Sequence, residues 1–447
     1  MKKIFPIIIL TIISAFLIFY RFADIPKYLA YDEVEFTKLA LSLQNKPYTS
    51  YSSLATGHST LYFYILLASL KTFGINIFAL RLPAAIFGIL SVIIFYLVIK
   101  GLKNYAVPAG RQELRIKNYN VLPFLLAIIF LTSRWFLNFA RFSFEATFLL
   151  FLELVSIYFL LLANAQITNF LRLGIPPKGE GSHWRQKISL SSINLIISGL
   201  FSGFAFLSYT PGRIFFFLPI VFLLFKKQFN NKTIKQLLLF LIPLIITITP
   251  LTTYLLTNKD VRIDQQFFLR NHEMTVNEKV NGLWSNISST ALMFFTKGDM
   301  NGRHNYPGKP ALNPVWGILF IIGLIISIKN FKNLYNKIFL LYFFISLFPA
   351  LMTYPWENPN MLRTFTVLPS VVYFIGITIY YLGAIALRLS FNKKMFVSCF
   401  LFLVILFSSF YELRTYFKYQ SIVFNQAFEI KLPLEKAIKA KGSSVNK

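Results

Sequence analysis

Long apolar stretches recur along nearly the whole chain and alternate with short polar segments. They fall at about residues 4–20, 82–99, 121–138, 146–163, 190–207, 213–225, 236–256, 314–328, 338–353, 367–387 and 395–411. Several reach about 18 apolar residues or more, the length that crosses a bilayer as a helix. A backbone in lipid must satisfy its own hydrogen bonds, so such runs are read as helices. The pattern predicts an all-α polytopic membrane protein with about eleven spans. The run at 213–225 is the shortest.

A further apolar segment, Ser59–Phe73, is only about 15 residues long and is too short for an ordinary crossing. It is read as an interfacial helix, and a second helix is expected at Glu33–Leu43. Both then lie in one long loop, residues 21–81, and a second long loop covers 257–313. The spanning domain is taken as residues 1–411, with 412–447 as a short polar tail, a stub of a further domain. Met1-Lys2-Lys3 followed by Ile4–Tyr20 looks like a signal peptide. With no small-x-small cleavage site after it, the segment is read as an uncleaved first span.

Charge placement orients the helices. The formal net charge of +28 invites a nucleic-acid reading, but the cations form no single basic face. They cluster between apolar runs at 100–117, 172–187, 226–235, 329–337 and 388–394, and also at Lys2 and Lys3. A strictly alternating path places every cluster on the cytoplasmic side, as topology determinants require. These stretches hold only two acids, Glu113 and Glu180. The opposite, outer loops hold nearly all the other carboxylates. Composition agrees: 56% hydrophobic and 14% charged is too apolar for a water-soluble chain. The single cysteine, Cys399, excludes an internal disulfide.

Candidate chemistry concentrates in the outer loops. Tyr31-Asp32-Glu33-Val34-Glu35 opens a helix, so Asp32 is read as its N-cap, a general base or a metal ligand. Gly57-His58 opens the interfacial helix. Arg81, Arg141 with Glu145, and Arg213 sit at outer boundaries, where a charge near lipid must snorkel or find a partner. The second loop adds Arg270-Asn271-His272-Glu273 and the turn-rich Gly298–Gly308, which contains His304. Trp356-Glu357-Asn358-Pro359 with Arg363 lies between two later spans. Three of the four histidines therefore face outward, and His183 faces the cytoplasm. The chain has no Gly-Lys-Ser/Thr phosphate loop, no GxGxxG, no HExxH and no Asp-x-Asp. ATP-driven pumping and a cytoplasmic nucleotide-sugar site are poorly supported. A reaction on the outer face needs an activated donor already present there, and a lipid-phosphate carrier is suitable.

With these residues in place, the chain resembles the GT-C glycosyltransferases of the protein-mannosyltransferase and aminoarabinose-transferase type. The resemblance covers most of residues 1–390. It rests on Asp32-Glu33, Gly57-His58 before Leu61-Tyr62-Phe63-Tyr64, Arg81-Leu82-Pro83, Arg141 with Glu145, and Asn358-Pro359 with Arg363. Relatives often carry His-Pro-Pro where this chain has His58-Ser59-Thr60, and commonly Asp in place of Glu145.

The resemblance implies inverting sugar transfer from a polyprenyl-phosphate-sugar donor, with Asp32 as base assisted by Glu33. Arg81, Arg141 and Arg363 would stabilise the leaving phosphate. Glu33, His58 and Glu145 would orient the base or hold a divalent metal ion. Arg213, His272, His304, Glu357 and Asn358 are further substrate contacts. Membrane lipids are expected partners and nucleic acid is not. The competing readings are a transporter or flippase of a lipid-linked sugar, for which Glu153 and Arg134 argue, and a non-catalytic scaffold.

Overall fold

The computed structural model describes residues 4–102, 121–172, 181–225 and 231–440. The basic stretches at 103–117, 173–180 and 226–230 lie outside the described residues. The chain is almost wholly helical. α1 (Phe5–Phe19) leads to the interfacial pair α2 (Tyr31–Ser42) and α3 (Leu61–Phe73), and α4 (Ile77–Gly101) follows. The next span is broken into α5 (Val121–Thr132) and α6 (Arg134–Ala140), bent by 65°. α7 (Ala146–Arg172), α8 (Gly181–Phe206), α9 (Phe217–Leu224) and α10 (Asn231–Thr257) complete the first part of the bundle. The second long loop contains α11 (Val261–Gln266) and α12 (Val276–Leu292). After it come α13 (Pro314–Lys329), α14 (Leu334–Leu351), α15 (Leu368–Ala386), α16 (Phe391–Arg414), α17 (Ser421–Ala427) and α18 (Leu434–Lys439).

Among the described residues, six helices are long and apolar enough to cross a membrane, or seven with the bent pair. Four shorter apolar helices, 5–19, 190–206, 210–224 and 314–329, fall where the remaining expected spans lie. The protein is therefore a polytopic membrane protein. Many side chains that face away from the bundle, such as Phe16, Ile246, Phe400 and Phe407, are exposed and apolar, as lipid-facing positions require.

α3 packs against α4 and α2, with Ser69 Oγ donating to the Ala79 carbonyl at 2.6 Å. Its start follows His58, which bonds to Glu145. Its end turns at Gly74 into α4, whose Arg81 bonds to Glu33. Glu33 in turn accepts from Ser143 N–H, two residues from Glu145. The segments on either side of α3 thus meet the same Ser143–Glu145 stretch, one through His58 and the other through Arg81 and Glu33. Its 13 residues bury Tyr62, Phe63, Leu66 and Leu70 below it.

Two details differ from expectation. Asp32 is not the N-cap of α2, because the helix begins one residue earlier at Tyr31 with Ala30 as cap. Glu33 reaches back instead and accepts from Ala30 N–H at 3.1 Å, the carboxylate half of a capping box. The tail also has no boundary at residue 411, since α16 runs through it to Arg414. Phe424, Phe428, Ile430, Leu434 and Ala437 join the same core as the spans. Leu29 and Ile430 exchange two backbone hydrogen bonds of 3.0 Å, so the tail is tied beside α2.

The position of α3 gives a direct test in a Cys399→Ser background. Cysteines placed at Ser53 and Phe73 should react with an impermeant maleimide from one side of sealed vesicles, and one at Lys332 from the other. Opposite sidedness for Ser53 and Phe73 would mean that α3 spans.

Candidate active site

A polar cleft of about 1190 Å³ opens at the end of the bundle where α2 and α3 lie. Three loops build it. The first supplies Asp32, from the opening turn of α2, and His58. His58 is placed by a two-residue antiparallel ladder that pairs Ser52 with His58 and Tyr51 with Ser59. The turn before it requires Gly57, whose φ is +90°. A Cβ there would fall 2.3 Å from the Tyr51 hydroxyl.

The second loop supplies Arg262 and the turn that carries Asp299, Arg303 and His304. The third supplies Glu357, Asn358 and Arg363, all of which line the cleft. Tyr51 and Arg213 fasten the first two loops together through Asp260. Tyr51 Oη donates to Asp260 at 3.3 Å, and Arg213 pairs with the same carboxylate. Burial would raise the Asp260 pKa, but Arg213 beside it pulls it below the usual value. Burial and the Asp260 charge push Tyr51 up to about 12.

Asp32 lies in the cleft with one oxygen engaged: Arg303 Nη1 donates to Oδ2 at 2.6 Å. His58 is almost wholly buried. Its Nδ1 meets Glu145 at 2.5 Å and its Nε2 meets Arg262 Nη1 at 2.9 Å. Burial lowers the His58 pKa, and Arg262 adds to this against the opposing pull of Glu145. The same Arg262 Nη1 lies 3.0 Å from Nδ1, so one guanidinium nitrogen stands against both ring nitrogens. His304 Nδ1 bonds to Asp299 at 3.0 Å, and Asp299 also accepts from Met361 N–H. Glu357 pairs with Arg363, whose Nη1 is buried and has no partner among the described residues.

Not every expected site residue comes to this cleft. Glu33 and Arg81 are each fully buried and hold one another, with Arg81 Nε 2.7 Å and Nη2 2.9 Å from the two carboxylate oxygens. Arg81 also donates to the carbonyls of Pro26 and Tyr28. Arg141 has no carboxylate partner among the described residues. Its guanidinium donates to the carbonyls of Leu17, Ile18, Arg21 and Ile25 and is boxed by Phe22, Tyr416 and Phe417. Neither arginine lines the cleft, so neither reaches a substrate there. His272 is exposed and away from it.

The intramembrane charges have partners inside the protein, although Arg134 Nε and Nη1 are buried without a hydrogen bond among the described residues. Tyr342 donates to Glu153 at 2.6 Å. Arg134 lies 3.9 Å from Glu412 and donates to the Pro310 carbonyl. Conversely, Arg262 lines the cleft although it did not stand among the candidates, and so do Asp299 and Arg303 of the Gly298–Gly308 turn, from which only His304 had been singled out. The only sequence signal for them was charge inside turn-rich stretches of an outer loop.

Beside the cleft lies a second cavity of about 920 Å³. Its walls are largely apolar: Ile214, Phe267, Phe348, Pro349 and Met352. Four arginines, Arg213, Arg262, Arg270 and Arg363, stand around it. Tyr209, Gln266, Arg262 and Arg363 line both cavities.

Spans, interfacial helices in the first long loop, and a cleft over the bundle end define the GT-C glycosyltransferase fold. The chain is similar to ArnT from Cupriavidus metallidurans in the apo state, with a TM-score of 0.57 at 10% identity over 94% of this chain and 77% of that one. The structure of that ArnT bound to undecaprenyl phosphate gives 0.56 at 9% identity, with the same two coverages. The Archaeoglobus fulgidus oligosaccharyltransferase in the apo form gives 0.51 at 15% identity, and covers 93% of this chain. The chain spans only 55% of that protein's length. No sequence family and no curated protein matches the chain.

The buried pair gives a stability prediction. Replacing one partner, as in Arg81→Met, strands the other charge and should cost about 3–5 kcal/mol. Asp32→Asn touches only a partly exposed side chain and should leave stability near that of the parent. Denaturation midpoints in one detergent compare them. Equal midpoints for Arg81→Met and the parent would mean that the pair does not hold the fold.

Proposed function

We propose that the chain is a GT-C glycosyltransferase that moves a sugar from a polyprenyl-phosphate carrier to an acceptor nucleophile. The observation that carries the reading is the join between the two cavities. An amphipathic donor needs an apolar channel for its chain, cations for its phosphate and a polar chamber for its sugar. The groove between residues 210–214 and 348–353 suits the first. Arg262 and Arg363, shared by both cavities, suit the second, and the cleft holding Asp32 suits the third. The ArnT similar in fold has been solved with undecaprenyl phosphate bound, which agrees in ligand chemistry.

In this reading Asp32 accepts the proton of the acceptor's hydroxyl or other nucleophile as that atom forms its bond to the anomeric carbon. The bond from that carbon to the phosphate oxygen breaks, and its electron pair leaves on the polyprenyl phosphate. Attack from the face opposite the leaving group inverts the anomeric centre. Arg363, with its unpartnered buried Nη1, and Arg262 stabilise the charge that grows on the phosphate. His58 and Glu145 hold Arg262 in place. The cationic ends of the spans point to the cytoplasm, so the cleft opens on the outer face. Glu33, Arg81 and Arg141 build the scaffold and are not reacting groups.

The test is incubation of purified protein with defined polyprenyl-phosphate sugars, followed by assay for released polyprenyl phosphate. Asp32→Asn should lower turnover about 100-fold or more with donor binding retained. Arg363→Ala should lose about 2–4 kcal/mol of transition-state stabilisation, with Lys a poor substitute where a fork is needed. Turnover of Asp32→Asn at the parent rate would remove the base and reopen the transporter reading.

A further inference from the structure

The resemblance leaves room for a divalent ion among Glu33, His58 and Glu145, but the residues of this chain do not fit one. Among the described residues, no three His, Cys, Asp or Glu side chains are grouped so as to hold a metal. Each carboxylate at or beside the cleft has a nitrogen partner, with Glu145 Oε2 buried without a hydrogen bond among the described residues. Glu145 meets His58, Asp299 meets His304 and Met361 N–H, and Glu357 meets Arg363. Glu33 is sealed against Arg81 below the cleft. Divalent magnesium, manganese or calcium is held by oxygens that converge on it, and an adjacent guanidinium opposes that arrangement.

Asp32 is paired with such a guanidinium. Arg303 Nη1 lies 2.6 Å from Oδ2, and this is the one hydrogen bond that the Arg303 side chain makes among the described residues. Asp32 Oδ1 has no partner among them. The turn carrying Arg303 is closed by backbone bonds from Gly298 N–H to Gly308 O and from Gly308 N–H to Asp299 O. Asn301 and Arg303 N–H groups are fixed by the side chains of Asp299 and Asn301. The turn also rests on α17, where a Cβ at Gly302 would fall 2.9 Å from Val423 and Ala427. Arg303 is therefore delivered from a braced segment.

Building on the function proposed above, we infer that Arg303 is the positioning residue of Asp32 and that its fixed charge stands where a divalent ion would otherwise be needed. One carboxylate oxygen is anchored and the other is left to take the proton. A guanidinium is a planar cation that presents several N–H donors in a fixed fork. The protein therefore has no requirement for a metal.

Two measurements decide this separately from the donor assay. Manganese EPR titration of purified protein should show no site that Asp32→Asn abolishes, and enzyme stripped with a chelator should keep its full turnover. A manganese site lost in Asp32→Asn would overturn the inference, as would chelated enzyme that recovers only with metal. If the parent uses no polyprenyl-phosphate sugar, the proposed function fails while the EPR result still decides the metal question. In the transfer assay Arg303→Ala should lower kcat about 10–100-fold, with KM for the donor changed little and Arg303→Lys recovering part of the loss. The double variant with Asp32→Asn should be no slower than Asp32→Asn alone, because Arg303 acts through that carboxylate. Additive losses would show that Arg303 acts elsewhere.

Discussion

The carboxylate of Glu33 and the guanidinium of Arg81 meet where neither touches solvent, and the geometry of the cleft follows from that contact. Glu33 also caps Ala30 N–H and accepts from Ser143 N–H, while Arg81 gathers the carbonyls of Pro26 and Tyr28. One pair thus joins α2, the chain that enters it, α4 and the segment before α7. Burying two charges costs several kcal/mol per ion before their attraction is counted. The return is position: Asp32, the neighbour of Glu33, starts from a helix end that cannot rotate. Arg141 does the same for the turn after α1, using only carbonyls and aromatic faces.

This division explains which parts of the molecule were legible in the sequence. Apolar run length and basic clusters carry topology because the bilayer imposes both locally. The reading of α3 as interfacial rests on its length and on the charge alternation of the flanking spans. Charged residues were harder. Arg81, Arg141 and Arg363 look alike in a linear pattern, since each is an arginine at the edge of an apolar run. Only the partner separates them: a buried carboxylate for the first, carbonyls for the second, and a cavity wall for the third. Arg262 and Arg303 sit in turns with no periodicity to mark them, and each meets a partner more than 200 residues away. The cap of α2 was misplaced because Glu33, three residues after Ala30, outcompetes Asp32 for the helix start.

The joined cavities also account for the unusual mixture of side chains at this end of the bundle. An apolar wall against lipid would need no arginines, and a solvent-filled sugar site would need no Phe348 or Met352. Their meeting at Tyr209, Gln266, Arg262 and Arg363 makes a border between two solvents inside one protein. A molecule with one greasy end and one hydrated end is the natural occupant of such a border.

The pairing of Leu29 with Ile430 has a consequence for biosynthesis. The segment that locks beside the helix bearing Asp32 is made some four hundred residues after it. Phe428, from that late segment, lies over the Arg81 guanidinium and packs on Phe142. Until it arrives, the ion pair beneath has an incomplete lid. The surroundings of Asp32 are therefore completed only when a segment some four hundred residues downstream has been made.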